Sequence, residues 1–344
     1  MDLAASVLAG DRLALSRCLT QVENDTDLGR EILNKLFPHT GQAHLVGVTG
    51  SPGTGKSSLV NQIARYYRQS AEEHGSRRQR PLRVAIIAVD PTSPFTGGAI
   101  LGDRVRMRDL AGDPGVFIRS MATRGSLGGL ARTTAGLVQV MDAAGFDLIL
   151  IETVGAGQAE VEIAHLAHTT LVIEAPGLGD DIQAIKAGIL EIADILVINK
   201  TDHPGADATE RALRSMLQLA HPVPHIFQHH GQHERIQTGS AQMTNPIVWI
   251  PPIQKTVAIE AEGIEELADV IDQHFQYLHE TGEWQQREQA RLEAELNALL
   301  QETLVARWRS NISDQHYEDI LSAVRGRQCS PWQAVEALID GVQI

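Results

Sequence analysis

The chain has 344 residues, 43% of them hydrophobic and 21% charged, with a formal net charge of −14 at pH 7. This composition is typical of a globular protein, and an acidic chain with no long basic run is not expected to bind nucleic acid. The two cysteines, Cys18 and Cys329, lie far apart without ligand-like spacing, which argues against a disulfide framework and favours a reducing compartment.

The amino-terminal segment predicts short helices over residues 1–40, because its apolar positions suit helical faces until Pro38 and Gly41 break the pattern. Asp11 and Arg12 interrupt the apolar run of a possible signal peptide. No stretch approaches the roughly 20 apolar residues of a membrane span. We therefore expect a cytoplasmic protein with no membrane partner.

The middle of the chain predicts a parallel sheet. Near-continuous apolar runs rich in Val and Ile are typical of strands covered on both faces. The predicted fold class is therefore α/β, a doubly wound, mainly parallel sheet. Residues 246–253 are either its last strand or the lead-in to it. The other predicted strands are 44–50, 83–90, 116–120, 146–153, 169–175 and 194–200.

Residues 264–344 predict helices again. Within 291–304, five leucines fall on one helical face with Glu and Gln opposite: Leu292, Leu296, Leu299, Leu300 and Leu304. Such a helix either packs on its own domain or forms a dimer arm.

The first predicted strand leads into the pattern G-x-x-x-x-G-K-S of a phosphate-binding loop, followed by a helix. Gly50, Gly53 and Gly55 allow backbone N–H groups to turn towards phosphate oxygens. Lys56 offers a positive charge to the β- and γ-phosphates, and Ser57 offers a hydroxyl to Mg²⁺. The remaining nucleotide-binding residues predicted in this loop are Ser51, Pro52, Thr54 and Ser58.

The run 194–200 ends in the pattern N-K-x-D of guanine-binding proteins, formed by Asn199, Lys200, Thr201 and Asp202. Asp202 can accept hydrogen bonds from guanine N1–H and N2–H₂, a donor pair that adenine lacks, so GTP is favoured over ATP. Asn199 is expected to brace the loops, and the stem of Lys200 to cover the base. A later segment, Thr256, Val257 and Ala258, is predicted to close the base pocket through backbone N–H groups.

Two further apolar runs end in carboxylates that could face a metal ion. Residues 146–158 resemble a Walker B strand, with Glu152 at the metal-facing position and Gly155 placed to sense the γ-phosphate. Asp90 ends the run 83–90, and Asp103 follows in the next loop, so both are candidates to reach Mg²⁺ directly or through water. That loop also contains three arginines that could stabilise transition-state charge, without a basis for choosing among them: Arg104, Arg106 and Arg108.

A third Gly-rich loop, residues 176–189, leads into a predicted helix capped by Asp180 or Asp181. Gln183 and Lys186 lie one turn apart on it, on the nucleotide side of the sheet. We expect this segment to be a mobile switch element.

Long stretches of the chain, including PTSPFTGGAILGDRVRM, ATRGSLGGLA, ETVGAGQAE and PGLGDDIQAIKAGILEIADILVINKTD, resemble the methylmalonyl-CoA mutase-associated GTPases of the MeaB family, formerly called ArgK. The resemblance spans roughly residues 1–340. It implies a homodimeric GTPase chaperone that gates delivery of adenosylcobalamin to an acyl-CoA mutase, protects that enzyme and promotes removal of damaged cofactor. It implies a helical extension over 1–40, a GTPase domain over 41–280 and a dimerisation arm over 281–344.

Carried over by motif, the resemblance assigns the nucleotide and metal roles to residues already singled out. Lys56 and Ser57 bind phosphates and Mg²⁺, while Asp90, Asp103 and Glu152 form the metal shell. Gln183 and Lys186 match positions that the family is thought to use when the mutase stimulates hydrolysis. The residues that the resemblance makes catalytic are Lys56, Asp90, Glu152 and Lys186.

Three other functions compete with this interpretation. A nickel-insertion GTPase is suggested by His229, His230 and His233, but neither cysteine accompanies them and the histidine tract is not dense. A transport ATPase or kinase conflicts with the N-K-x-D pattern. A binding module without hydrolysis conflicts with intact Lys56, Ser57 and Glu152.

Overall fold

The computed structural model of the protein describes residues 2–69, 80–91, 108–110, 112–123, 129–153, 164–177, 191–220 and 248–340. These residues fall into two compact units, Met1–Arg291 and Leu292–Ile344. The division falls inside one long helix, so the ends of that helix belong to different units. The domain boundaries expected from the sequence remain predictions.

The first unit is built on a seven-stranded sheet in which every pair of neighbouring strands is parallel, with the order β3-β2-β4-β1-β5-β6-β7. This confirms the predicted doubly wound α/β fold. The last strand begins at Ile253, so residues 248–252 are its lead-in rather than part of it. The strands are β1 (His44–Gly50), β2 (Val84–Pro91), β3 (Val116–Thr123), β4 (Leu148–Thr153), β5 (Thr169–Glu174), β6 (Ile195–Asn199) and β7 (Ile253–Thr256).

Helices cover both faces of the sheet, which explains why the strands carry so few polar residues. One face packs against the amino-terminal helices and a later helix, and the other packs against the helix after β1 and the helix after β7. Asp11, which interrupts the first apolar run, accepts hydrogen bonds from the N–H groups of Leu13 and Ala14 and so caps the second helix. The helices are α1 (Leu3–Leu8), α2 (Arg12–Glu23), α3 (Asp27–Leu36), α4 (Lys56–Arg68), α5 (Gly129–Ala143), α6 (Ala206–Ala220), α7 (Ile264–Thr281), α8 (Glu283–Asn311), α9 (Asp314–Arg325) and α10 (Pro331–Asp340).

The second unit consists of the end of α8 with α9 and α10. Ile320, Ala334 and Ala337 form its small buried core, and Trp308 Nε1 donates to the carbonyl oxygen of Leu338 at 3.1 Å. The leucine face predicted for 291–304 exists, but within the described chain it is largely uncovered: Leu296, Leu300 and Leu304 are 65%, 52% and 56% exposed.

The two cysteines lie in different surroundings. Cys18, in α2, is completely buried in the apolar core, and burial raises the pKa of its thiol to about 11. Cys329 is half-buried. Across the described residues, no helix is both long and apolar enough to cross a membrane.

Candidate nucleotide-binding site

The phosphate-binding loop follows β1, which lies in the middle of the sheet between β4 and β5. Two of its glycines are required by geometry as well as by backbone angle. Gly50 has φ 137°, and a Cβ there would lie 2.1 Å from the carbonyl oxygen of Ile173. Gly55 has φ 90°, and a Cβ there would lie 2.5 Å from Asn199 Nδ2. No other residue fits at either position without moving the neighbouring strand or loop.

Helix α4 begins at Lys56, directly after the loop, so its positive end faces the loop. Lys56 is only 6% exposed, and its Nζ donates to the carbonyl oxygens of Gly50 at 2.6 Å and Ser51 at 3.0 Å. The ammonium group is therefore held against the loop in which the phosphate oxygens are expected to bind. Thr54 is fully buried, while Pro52 and Gly53 are exposed at the tip of the loop.

Ser57, in the first turn of α4, meets Glu152 near the carboxyl end of β4. Ser57 Oγ donates to Glu152 Oε1 at 2.5 Å, and the two residues are 7% and 1% exposed. Register explains the meeting, because Val48 of β1 lies opposite Glu152 of β4. A hydroxyl and a carboxylate are hard oxygen donors of the kind that Mg²⁺ prefers, so these residues fit the ion that the motif implies.

Asn199 connects the phosphate loop to the predicted base-reading loops. Its Nδ2 donates to the carbonyl oxygen of Thr54 at 2.8 Å. Its Oδ1 accepts from the N–H of Ala258 at 3.0 Å and from Thr256 Oγ1 at 3.1 Å. Asn199 is 2% exposed, and all three partners are also buried. The bracing role predicted for Asn199 therefore has a definite geometry, and the structure brings 256–258 to the N-K-x-D segment.

Of the other two residues of that pattern, Lys200 is half-buried and Asp202 is exposed. Lys200 adopts φ 60°, and its Nζ donates to the carbonyl oxygen of Gly53 at 2.6 Å. Asp202 is exposed, and its Oδ2 lies 3.6 Å from Nε2 of the neighbouring His203. A nucleoside base has access to the Asp202 carboxylate from solvent.

Several predicted site residues lie outside the described chain, and their roles remain predictions. For Asp90 and Arg108 the structure describes the backbone, in β2 and in a short 3₁₀ turn, but not the side chain. The residues lying wholly outside are Asp103, Arg104, Arg106, Gly155, Gln183, Lys186, His229, His230 and His233.

Two features at this edge of the sheet were not predicted from the sequence. Glu174 ends β5 and is only 2% exposed. Like Glu152, Glu174 is a carboxylate at the end of an apolar run. The same sequence pattern could therefore have predicted it. Thr153 Oγ1 donates to Thr49 Oγ1 at 3.2 Å, and this buried bond joins the ends of β4 and β1. No sequence pattern announces that pair.

The arrangement is that of a P-loop nucleotide site, and comparison with known proteins identifies its class. The sequence profile of the family described as methylmalonyl Co-A mutase-associated GTPase MeaB matches residues 15–313. The chain belongs to the MeaB family of GTPases. Its fold and its activity as a GTP hydrolase follow from that membership.

Relatives of the MeaB-family chain match along nearly its whole length. A Pyrococcus abyssi protein named as a GTPase is 41% identical over 341 residues, covering 99% of this chain and 96% of that protein. GTPase ArgK of Escherichia coli is 33% identical over 340 residues, covering 97% and 94%. A solved structure described as LAO/AO transport system kinase superposes with a TM-score of 0.67 at 26% identity, covering 99% of this chain and 97% of that one.

Proposed function

We propose that this MeaB-family GTPase is a chaperone that uses GTP to gate adenosylcobalamin loading, protection and reactivation of a methylmalonyl-CoA-type mutase. The observation that carries the proposal is the family match over residues 15–313, whose description names that mutase. The ordered phosphate loop supports it, because a chaperone that cycles between GTP and GDP needs a working nucleotide site. Lys56 and Asn199 bond to carbonyl oxygens of that loop, and Ser57 bonds to Glu152.

In this proposal the phosphates bind along the loop 50–57. Lys56 and the backbone N–H groups at the start of α4 stabilise the negative charge on the β- and γ-phosphates. Ser57 and Glu152 would hold Mg²⁺, with Asp90 and Asp103 proposed as further ligands. When bound, the ion supplies charge neutralisation at the phosphates.

The base is proposed to bind between the N-K-x-D segment and residues 256–258. Asp202 accepts from the guanine N–H groups, and the aliphatic stem of Lys200 covers one face of the ring. Asn199 takes no part in base contact. It holds the loops together through its bonds to Thr54 and Ala258.

Client control is proposed to act through residues 176–189, with Gln183 and Lys186 as the responding side chains. A partner that supplies positioning and charge raises GTPase rates by about 10³–10⁵ in well-studied systems. We therefore expect slow intrinsic hydrolysis that the mutase accelerates.

The test is GTP hydrolysis by the purified chain with and without methylmalonyl-CoA mutase, with ATP as the nucleotide control. GTP-selective turnover that rises with mutase concentration supports the chaperone. Selective turnover that no cobalamin-dependent mutase changes contradicts it and leaves a GTPase with another client. Lys186→Ala is expected to lower the ratio of stimulated to basal rate, whereas Lys35→Ala on the surface of α3 should leave that ratio unchanged.

We also propose that the chain is a homodimer joined through the leucine face of α8. That face is uncovered in the described chain, and exposed leucines at helical spacing are typical of an interface. Sedimentation should give a dimer for the natural chain and a monomer for Leu300→Glu/Leu304→Glu. The control Ala298→Glu adds charge on the opposite face of the same helix, where the chain is also exposed, and should remain dimeric.

A further inference from the structure

A short loop, residues 257–262, connects β7 to α7 beside the N-K-x-D segment. Two hydrogen bonds close it, one from the N–H of Val257 to the carbonyl oxygen of Glu262 at 3.1 Å and one in the reverse direction at 3.3 Å. The N–H of Thr201 donates to the carbonyl oxygen of Thr256 at 3.3 Å. The 257–262 loop therefore begins next to the segment that is proposed to read the base.

The backbone of the 257–262 loop is tightly constrained. Ala261 adopts φ 59°, which is uncommon outside glycine, and its N–H donates to the carbonyl oxygen of Ala258 at 3.4 Å. Gly263 follows the loop with φ 72°, and a Cβ there would lie 2.1 Å from the carbonyl oxygen of Lys255, so only glycine fits. A loop held in this way presents its remaining backbone groups at defined positions.

The three residues expected to close the base pocket already use their backbone groups. Thr256 lies in β7, where it pairs with Asn199 of β6. The N–H of Val257 donates to Glu262, and the N–H of Ala258 donates to Asn199 Oδ1 at 3.0 Å. Thr256, Val257 and Ala258 are 1%, 4% and 2% exposed. The N–H groups of Val257 and Ala258 are therefore occupied and buried before a base binds.

Ile259 is the first residue of the 257–262 loop that solvent reaches. It is 76% exposed, and its N–H forms no hydrogen bond with any group in the described ranges. The preceding residue, Ala258, is bonded to Asn199, which is bonded in turn to Thr54 of the phosphate loop. The unpaired N–H of Ile259 is therefore one residue away from the junction between the base-reading and phosphate-binding loops.

We propose that the N–H of Ile259 donates a hydrogen bond to guanine O6 and acts with Asp202 to determine base specificity. The inference rests on the proposed position of the base, between the N-K-x-D segment and the residues that follow β7. The two contacts are complementary, because Asp202 accepts from N1–H and N2–H₂ whereas Ile259 donates to the adjacent oxygen.

This contact adds a second reason for ATP to be rejected. Guanine has an oxygen acceptor at position 6, whereas adenine has an amino donor there. With adenine in the same place, the N–H of Ile259 would face another donor and lose its hydrogen bond to water without replacement, which is unfavourable. Discrimination between GTP and ATP is therefore expected to come from both loops.

The direct test is amide NMR of the full chain labelled with ¹⁵N-isoleucine and ¹⁵N-alanine. Ile259→Val identifies the Ile259 signal, because valine keeps the N–H and removes one isoleucine signal. Hydrogen exchange is measured without ligand, with GDP, and with inorganic tripolyphosphate, which has phosphates but no base. We expect exchange at Ile259 to slow by about tenfold or more with GDP only, while Ala258 stays protected in all three samples.

Base analogues then assign the contact to O6. 6-Thio-GDP keeps N1–H and N2–H₂ but carries sulfur, a weaker acceptor, in place of O6, whereas IDP keeps O6 and lacks the 2-amino group. By calorimetry, the natural chain should bind both analogues more weakly than GDP. Ile259→Pro removes the N–H, so GDP affinity should fall by about two- to tenfold, and GDP should no longer be preferred over 6-thio-GDP.

The preference for GDP over IDP, which reports on Asp202, should survive Ile259→Pro. Ile259→Ala is the matched control, because it keeps the N–H and should retain both preferences. Melting temperature checks the fold of each variant. The exchange measurement uses the natural chain, so it decides the question even where proline disturbs the loop.

Unchanged exchange at Ile259 on GDP binding overturns the assignment. A change confined to Ala258 also overturns it, because Asn199 would then release that N–H to the base. The position of the base is tested separately by Asp202→Asn. If this variant loses the preference for GDP over IDP while Ile259 does not respond, only the Ile259 contact is wrong. If neither residue responds, the proposed base site is wrong as well.

Discussion

The two edges of the central sheet use polar residues in opposite ways. At the carboxyl edge, Lys56, Lys200 and Asn199 bond to backbone carbonyl oxygens of the phosphate loop. These bonds fix the conformation of the loop and leave its N–H groups available to bind a ligand. At the amino edge, side chains bond to one another, as the buried Asp194 does with the half-buried Arg287. The comparison indicates that one edge is organised for binding phosphate and the other for joining helices to the sheet.

The amino-edge network also contains a second pair. His168 Nδ1 accepts from the N–H of Leu45 at 3.1 Å, and its Nε2 donates to Glu288 Oε1 at 2.6 Å. Glu288 is further bound by Arg291 at 2.8 Å. Through Arg287, Glu288 and Arg291, the first part of α8 is held to the strands. Variants at the two edges should therefore separate stability from nucleotide affinity.

The largest effect is expected from Asp194→Ala. Removing this buried carboxylate leaves the half-buried Arg287 and the buried His274 without their shared partner, which should cost about 3 kcal/mol, the lower end for breaking a buried pair. Urea unfolding measures the loss. Asp207→Ala is the control, because Asp207 is 85% exposed and its pair with Lys255 should contribute little. Equal stability of the two variants would show that the amino-edge network does not hold the fold.

Lys56→Ala should have the opposite effect to Asp194→Ala: it should lower nucleotide affinity and change stability little. Loss of a buried charge that contacts phosphates typically costs about 2–5 kcal/mol, so GTP affinity should fall by about 30-fold or more. Calorimetry or a fluorescent GTP analogue measures the affinity, and the unfolding free energy should change much less than for Asp194→Ala. Retained tight GTP binding would contradict the phosphate role of Lys56.

Asp202→Asn should weaken GTP binding by about 30-fold, because hydrogen bonds to a charged group contribute roughly 1.5–3 kcal/mol. ATP binding should not weaken in parallel, so the ratio of the two affinities falls. Asp207→Asn, an exposed carboxylate of α6 nearby in sequence, serves as the control. An unchanged preference for GTP over ATP would remove Asp202 from the base site.

Acid should destabilise the amino edge first. Burial alone would raise the pKa of Asp194, but Arg287 and the adjacent His274 ring hold it at about 2, below its ordinary 3.8. Hydrogen bonds from His168 and Arg291 outweigh burial in the same way and hold the pKa of Glu288 at about 2 instead of 4.5. Depressed carboxyl pKa values contribute stability above the ordinary values that is lost as the pH falls towards 2. Asp194 alone accounts for about 2 kcal/mol.

The buried histidines also make the protein less stable as the pH falls, but in a higher pH range. Burial lowers the pKa of His44 and of His168, so the unfolded chain binds protons more readily below pH 6.5. The free energy of unfolding should therefore decline from about pH 6.5 and more steeply below pH 4.5. Urea titrations at pH 7, 5 and 3.5 test this, and Asp194→Asn should flatten the lower part of the curve. A pH-independent natural chain would contradict the assignment.

The sequence predicted the carboxyl edge well because its signals are local. Each predicted strand from β1 to β6 ends within about three residues of its observed end, since continuous apolar runs mark buried parallel strands. The loop 50–57 and the N-K-x-D segment are short motifs, and the contact between Asn199 and Thr54 confirms that they meet. The end of the sheet was less certain, because β7 has four residues and begins after two prolines.

The amino edge could not be predicted in this way. His44 and Thr169 are 125 positions apart, and Thr169 and His274 are 105 positions apart. Each appears in the sequence as a single polar residue beside an apolar run, with nothing to indicate its partner. Only strand register and the packing of α7 and α8 bring them together, and these depend on the whole tertiary fold.

The contrast between Cys18 and Cys329 has a practical consequence for spectroscopy. A fully buried thiol with a pKa of about 11 contains almost no thiolate at neutral pH and should not react with maleimide or methanethiosulfonate reagents. The natural chain should therefore accept a nitroxide at Cys329 alone, in the same compact unit as the exposed leucines of α8. Pulsed dipolar electron resonance on that single label would then report the spacing between two associated copies without any engineered cysteine.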